Sequence, residues 1–212
     1  MKSDDLILKN TVPVRNLFGL VICGGNSKRM GSDKSLLVYY KKPQRYHLYD
    51  MLRPVCEKVF ISCNASQSSD IPAEYEPLVD ISSCFNIGPM AAIVTACIHY
   101  PENDFLVIGC DYPFLAEDEL YSFVSSNEQN IPAAFYNDLE DLYEPLLGYY
   151  PGNCNHELMK MYATGQYSLQ HFLKNESASK YHPVNKKSIR SIDTRYDYVK
   201  AKKSIDLNPD WK

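Results

Sequence analysis

The chain has 212 residues, 45% of them hydrophobic, with 22 basic against 26 acidic side chains and a formal net charge of −4. That size and apolar content suit one globular domain with a buried core, while the near balance of charge excludes a surface built to hold nucleic acid or an anionic membrane, so any phosphate binding has to be local. No run approaches the roughly eighteen apolar residues of a membrane span, and the opening segment carries Asp4 and Asp5 where a secretory signal needs basic and then apolar residues, which predicts a cytoplasmic protein.

Along the chain, residues 1–16 are expected to be the most loosely ordered. Residues 17–23, 58–63 and 105–110 are continuous apolar runs, the pattern of strands covered on both faces and central in a sheet. Between them, 44–53 and 90–100 have the length and spaced apolar residues of crossover helices, and Pro89 suits the first turn of the second. Strand, helix and strand in that order predict a parallel sheet with right-handed connections. Further on, 133–136 and 146–150 read as strands, and 155–163, 168–174 and 196–203 as helices. The fold class is therefore α/β, a three-layer, Rossmann-like, mostly parallel sheet with helices on both faces. No repeat, low-complexity tract or Gly/Ser linker divides the chain, so residues 1–212 are expected to form a single domain. Seven cysteines at positions 23, 56, 63, 84, 97, 110 and 154 form an odd set with no C-x-x-C pair, which predicts reduced thiols packed as small hydrophobes.

The segment Leu20-Val-Ile-Cys-Gly-Gly-Asn-Ser-Lys-Arg-Met-Gly-Ser-Asp-Lys34 leaves the first strand directly. Gly24 and Gly25 let a ligand approach the main chain, and amides turned toward one point make a concavity for an anion. Lys28, Arg29 and Lys34 add cationic donors whose hydrogen bonds to charged partners are each worth about 1.5–3 kcal/mol. The spacing is neither G-x-x-x-x-G-K-[ST] nor G-x-G-x-x-G, which sets aside the P-loop and dinucleotide fingerprints. A glycine pair alone marks a turn, but this one stands at the carboxyl end of a strand, where open parallel sheets bind their ligands.

Two carboxylates belong to the same edge. Asp111 follows the run 105–110 and precedes Tyr112 and Pro113, so it stands at a strand end where a metal ligand can face the crevice. Asp80 closes the short apolar run 76–80. Either can equally serve as a turn former or helix cap, and only together with the cationic loop do they point to a metal-nucleotide site.

Residues 19–37, opening with this loop, resemble the signature of the molybdenum-cofactor nucleotidyltransferases, and the Gly-Gly and Asp-Lys forms resemble the guanylyltransferase branch. Asn86-Ile-Gly-Pro-Met-Ala-Ala-Ile93 and Gly109-Cys-Asp-Tyr-Pro-Phe-Leu115 are similar to two further family motifs, and weaker similarity runs through residues 143–148, 165–173 and 192–194. Lys41-Lys42-Pro43 and Ser191-Ile-Asp-Thr-Arg195 depart from the family pattern, the latter on the acceptor side. The resemblance implies transfer of GMP from GTP to molybdopterin with release of pyrophosphate. It implies that Ile22, Cys23 and Gly24 line base and sugar, that Gly25 holds phosphate, and that Arg29 and Lys34 pair with the triphosphate. Asn64 and Asp80 would complete the nucleotide pocket, and Asp111 would hold magnesium. GTP and molybdopterin are the implied partners, with transient contacts to other proteins of cofactor synthesis and none to nucleic acid or membrane. A cytidylyl or sugar-phosphate nucleotidyltransferase is the alternative on the same fold, and a nucleotide-binding module without turnover is the rival from another class.

Overall fold

The structure, a computed structural model, describes residues 14–23, 33–84, 87–128 and 130–208. Seven strands form one sheet in the order β3-β2-β1-β4-β6-β5-β7. They are β1 (Val14–Ile22), β2 (Cys56–Cys63), β3 (Pro77–Val79), β4 (Asp104–Gly109), β5 (Ala133–Asn137), β6 (Leu142–Tyr150) and β7 (Ser179–Tyr181). β1 runs parallel to β2, with Leu20 opposite Phe60, and parallel to β4, with Leu20 opposite Val107. β3 is parallel to β2 and β7 to β5, while β6 is antiparallel to both β4 and β5. The three apolar runs predicted as central strands are all interior. β1 begins at Val14 and so takes in residues 14–16 of the segment expected to be loose, whose remainder lies outside the described residues.

The helices are α1 (Gln44–Leu52), α2 (Ala65–Ser68), α3 (Met90–His99), α4 (Glu117–Ser126), α5 (Asn155–Ala163), α6 (Leu169–Asn175) and α7 (Arg195–Leu207). Alternation along the strands sends successive side chains to opposite faces. Leu20, Ile22, Phe105 and Val107 pack with α3, α5 and α6. Leu17, Val21, Ile61, Leu106 and Ile108 pack with Leu48 and Leu52 of α1 and Leu120 and Phe123 of α4. Each fully buried large apolar side chain is worth about 1.5–3 kcal/mol of transfer free energy, so a sheet loaded on both faces is stable only as three layers. The buried residues of α3 are mostly small, among them Ala91, Ala92, Ala96 and Cys97. All seven cysteines are free and buried.

A third, smaller cluster bears on the site. Tyr39, Phe114, Ile192, Ala201 and Ile205 are all buried together, which pins α7 and the turn before it against the chain that leaves β4. The ring of Tyr39 meets that of Tyr198 edge-on at 5.2 Å. The tyrosine-rich stretch after the glycine loop thus carries the last helix. No helix among the described residues is long and apolar enough to cross a membrane.

Candidate functional site

The parallel ladder continues one residue past the strands. Cys23 N donates to Ser62 O at 3.1 Å, Cys110 N to Ile22 O at 3.2 Å and Asp80 N to Cys63 O at 2.9 Å. Val79, Cys63, Cys23 and Cys110 therefore stand in a row at the carboxyl edge, with Asp80, Asn64 and Asp111 one residue beyond. Ile22 and Cys23 turn their side chains into opposite cores, so what they can offer a ligand is main chain. The Sγ atoms of Cys23 and Cys110 approach to 3.6 Å. The hydrogen bond from Cys23, and then burial, push the Cys110 thiol well above its ordinary range, and burial pushes Cys63 up to about 12, so these are inert thiols at neutral pH.

Residues 24–32 lie outside the described residues, and with them the predicted site residues Gly24, Gly25 and Arg29, as well as Lys28; Asn86 lies outside as well. The loop's exit is well fixed. Asp33 caps the short helix Lys34–Leu36, its Oδ1 accepting from Ser35 N at 2.8 Å. Its Oδ2 accepts from Gln67 Nε2 at 2.6 Å. Gln67 in turn belongs to the capping box of α2, in which Asn64 Oδ1 accepts from Gln67 N at 3.0 Å and Gln67 Oε1 accepts from Asn64 N at 3.1 Å. Lys34 is thereby tied to the end of β2.

The ammonium of Lys34 donates to Asp193 Oδ1 at 2.6 Å, across 159 residues of sequence. Asp193 reaches it because Ile192 N donates to the carbonyl of Asp111 at 2.8 Å and the Ile192 side chain is buried. The same bond seats the 191–194 turn on Asp111, and Thr194 then caps α7 by accepting from Asp197 N at 3.1 Å. Asp193 was not singled out from the sequence. Its signal was the departure of 191–195 from the pattern of the resembled family.

Asp111 Oδ1 is buried and has no hydrogen-bond partner among the described residues. Burial pushes this carboxyl above its ordinary range, the Lys34 ammonium pulls it back, and Asp193 adds to the rise. An orphaned carboxylate oxygen beside a lysine is a hard donor that suits a divalent cation. Among the described residues no group of three or more His, Cys, Asp or Glu side chains is arranged to hold a metal. Asp80 accepts from Ser62 Oγ at 2.8 Å, and burial pushes its carboxyl up against that bond. The structure thus brings Lys34 and Asp111 together and leaves Asn64 and Asp80 on the β2–β3 side, with Asn64 Oδ1 committed to its cap.

The profile of the MobA-like NTP transferase domain matches residues 19–182. The chain belongs to that family. Among MobA-like relatives, a "Molybdenum cofactor biosynthesis bifunctional protein" of Synechocystis is 34% identical over 161 residues, 70% of this chain and 46% of that protein, so the chain spans about half the length of this relative. A "Probable molybdenum cofactor guanylyltransferase" of Rhodopirellula baltica is 31% identical over 169 residues, 74% of this chain and 79% of that protein. The solved "Molybdopterin-guanine dinucleotide biosynthesis protein A" from Archaeoglobus fulgidus superposes with a TM-score of 0.70 at 21% identity, covering 90% of this chain and 100% of that one. A putative glucose-1-phosphate thymidylyltransferase from Bacillus anthracis gives a TM-score of 0.67 at 13% identity, over 89% of this chain and 94% of that one, which extends the MobA-like likeness to the wider nucleotidyltransferase fold.

Proposed function

We propose that this chain transfers GMP from GTP to the phosphate of molybdopterin and releases pyrophosphate. The observation that carries the reading is the meeting of Lys34, Asp111 and Asp193 at the carboxyl edge of β1 and β4, beside the exit of the glycine loop. The names of the relatives supply the substrates.

The acceptor phosphate is already a nucleophile at neutral pH. One of its oxygens attacks the α-phosphorus of GTP, a P–O bond forms there, and the bond to the β-phosphate oxygen breaks, so the leaving group is pyrophosphate. No protein nucleophile is needed, and positioning with charge stabilisation carries the step. Asp193 takes one of the three N–H donors of Lys34, which aims the ammonium and leaves donors for phosphate oxygens as negative charge grows on the leaving group. Asp111 would hold the divalent cation, in our reading magnesium. When bound, that ion offsets charge on the phosphates. Arg29 and the amides following Cys23 would hold the remaining phosphate oxygens, with Ile22 and Cys23 flanking base and sugar through their main chain. Asn64 and Asp80 would close the sugar side.

Thermal shift with magnesium and each nucleoside triphosphate tests the donor. A ligand that binds only the folded state stabilises it by about 2.7 kcal/mol at a hundred times its Kd. GTP is expected to raise the melting temperature more than CTP, ATP or UTP; equal shifts from all four would contradict the guanylyl reading.

A further inference from the structure

A cavity of about 450 Å3 opens beside the phosphate site, walled on one side by Tyr136, Glu140 and Glu144 of the β5–β6 hairpin and on the other by Lys186, Arg190 and Ser191. Its volume is in the range of small-molecule sites. Two links join it to the groups already described. Tyr112, the residue after Asp111, donates its hydroxyl to Glu144 Oε2 at 2.8 Å. Ser191 Oγ donates at 3.3 Å to Asp193 Oδ2, the second oxygen of the carboxylate that holds Lys34. The cavity is thus the next compartment beyond Lys34 and Asp111 along the same edge of the sheet.

Its charge is divided. The hairpin wall presents carboxylates and the 183–191 wall presents cations. A ligand that suits both carries paired N–H donors at one end and an anionic group at the other. Glu144 is better placed than Glu140 to read the donor end. It sits on a strand, is half-buried, and is held by the buried Tyr112, whereas Glu140 lies in the hairpin turn. A carboxylate has about four lone-pair sites; Tyr112 and Asn137 occupy two, so two parallel N–H donors can still be met. An amino-pyrimidinone ring offers that pair in its ring N–H and exocyclic amine. Arg190 and Ser191, close in sequence to Asp193, stand at the end of the cavity nearer the transfer site.

We propose that this cavity is the acceptor compartment, in which Glu144 reads the paired N–H edge of a pterin ring while Arg190 and Lys186 hold the anionic arm that carries the accepting phosphate. The inference rests on the reading of the chain as a molybdopterin-directed transferase. It adds a specificity residue: a sugar phosphate has no such edge, and a site built to meet N–H donors rejects ligands lacking them because its carboxylate is then left unpaired.

The test uses two probes on the full chain. Binding of a soluble pterin phosphate monoester is followed by its own fluorescence in the wild type, Glu144→Gln, Arg190→Ala and Tyr112→Phe, with glucose 1-phosphate as competitor. Beside it, the GTP-dependent thermal shift with magnesium is measured in each variant. Glu144→Gln and Arg190→Ala are expected to weaken pterin phosphate by about tenfold or more while the GTP shift stays at the wild-type value. Tyr112→Phe, which keeps the carboxylate but frees its orientation, is expected to have a smaller effect. In turnover, Glu144→Gln raises the KM for molybdopterin and leaves the KM for GTP unchanged. Equal affinity for pterin phosphate in the wild type and Glu144→Gln overturns the assignment, as does efficient competition by glucose 1-phosphate. Absence of a GTP shift in the wild type would instead strike at the transferase reading, and the pterin arm would still decide the cavity.

Discussion

Gly109→Ala separates the role of Asp111 from the stability of the fold. A methyl at residue 109 would stand 2.6 Å from Asp111 Oδ1 and 3.1 Å from Leu146 Cβ. The contact with Leu146 needs only a few tenths of an ångström of give, but the carboxylate must move from 2.6 Å to an ordinary separation of about 3.5 Å, a shift of roughly 0.9 Å. The carboxylate is the end of a side chain and can swing, so the cost in stability sits at the low end of the about 1–3 kcal/mol typical of overpacking. For a domain of this size that is a fall of about 2–4 °C in melting temperature. Catalysis is far less tolerant, because a misplacement of about 1 Å at a reacting centre costs on the order of a hundredfold. Pyrophosphate release across a magnesium titration, beside a melting curve, reads both. A variant that melts slightly lower yet turns over at the wild-type rate, with unchanged magnesium dependence, would refute the placement of the metal on Asp111.

Asp111→Asn is expected to trade activity for stability. A carboxyl raised by burial favours the folded state while protonated and loses that advantage as pH rises through its folded pKa, so at pH 7 the ionised group is a burden the amide removes. The variant should melt at or above wild type at pH 7, the gap closing on acidification, while turnover falls by roughly a hundredfold or more; a lower melting point at pH 7 would contradict the burial argument. Lys34→Ala should weaken triphosphate binding or turnover by about tenfold or more with little change in melting, since the ion pair it breaks is partly exposed. Unchanged pyrophosphate release would show that the phosphates lie elsewhere. His47, stacked on Tyr40 at 4.3 Å, is held down at about 4 by burial and by Lys42. Its neutral form is what the fold accommodates, so stability is full above its ordinary 6.5 and is lost as pH falls toward 4, at up to about 1.4 kcal/mol per pH unit. His47→Gln should flatten the melting profile over that window, and an unaltered slope would assign the acid sensitivity to other groups.

What the sequence disclosed, and what it withheld, follows from the range of the interactions involved. β1, β2 and β4 were legible because strands buried on both faces are continuous apolar runs; Asp111 drew notice by following such a run, and Lys34 by closing the glycine loop that leaves another. β6 was read as starting at 146, but it begins at Leu142; its first half is partly exposed and contains Pro145, which local pattern takes for a break. Its antiparallel pairing depends on the hairpin with β5 and had no local mark. α4 was missed because its inward face includes Glu119, a buried carboxylate that accepts from Tyr181 OH at 2.8 Å, Val184 N at 3.0 Å and Asn185 N at 3.0 Å. That residue interrupts the apolar period while serving as a bracket for the 181–185 segment. β3 and β7, three residues each, are too short to carry a period. Asp193 was out of reach for a different reason. Its bond to Lys34 depends on the cluster of Tyr39, Phe114, Ile192, Ala201 and Ile205, which joins segments far apart in sequence and leaves no local pattern.

The transfer itself is the most direct measurement. GTP labelled at its α-phosphate is incubated with molybdopterin, magnesium and the wild-type chain, and the label is followed into the dinucleotide product while pyrophosphate is counted. The expected result is one pyrophosphate per labelled product, loss of both with a chelator, and a rate lower by about tenfold or more when CTP replaces GTP. Label that passes to a sugar phosphate in preference to molybdopterin, or that remains in GTP under all conditions, would contradict it.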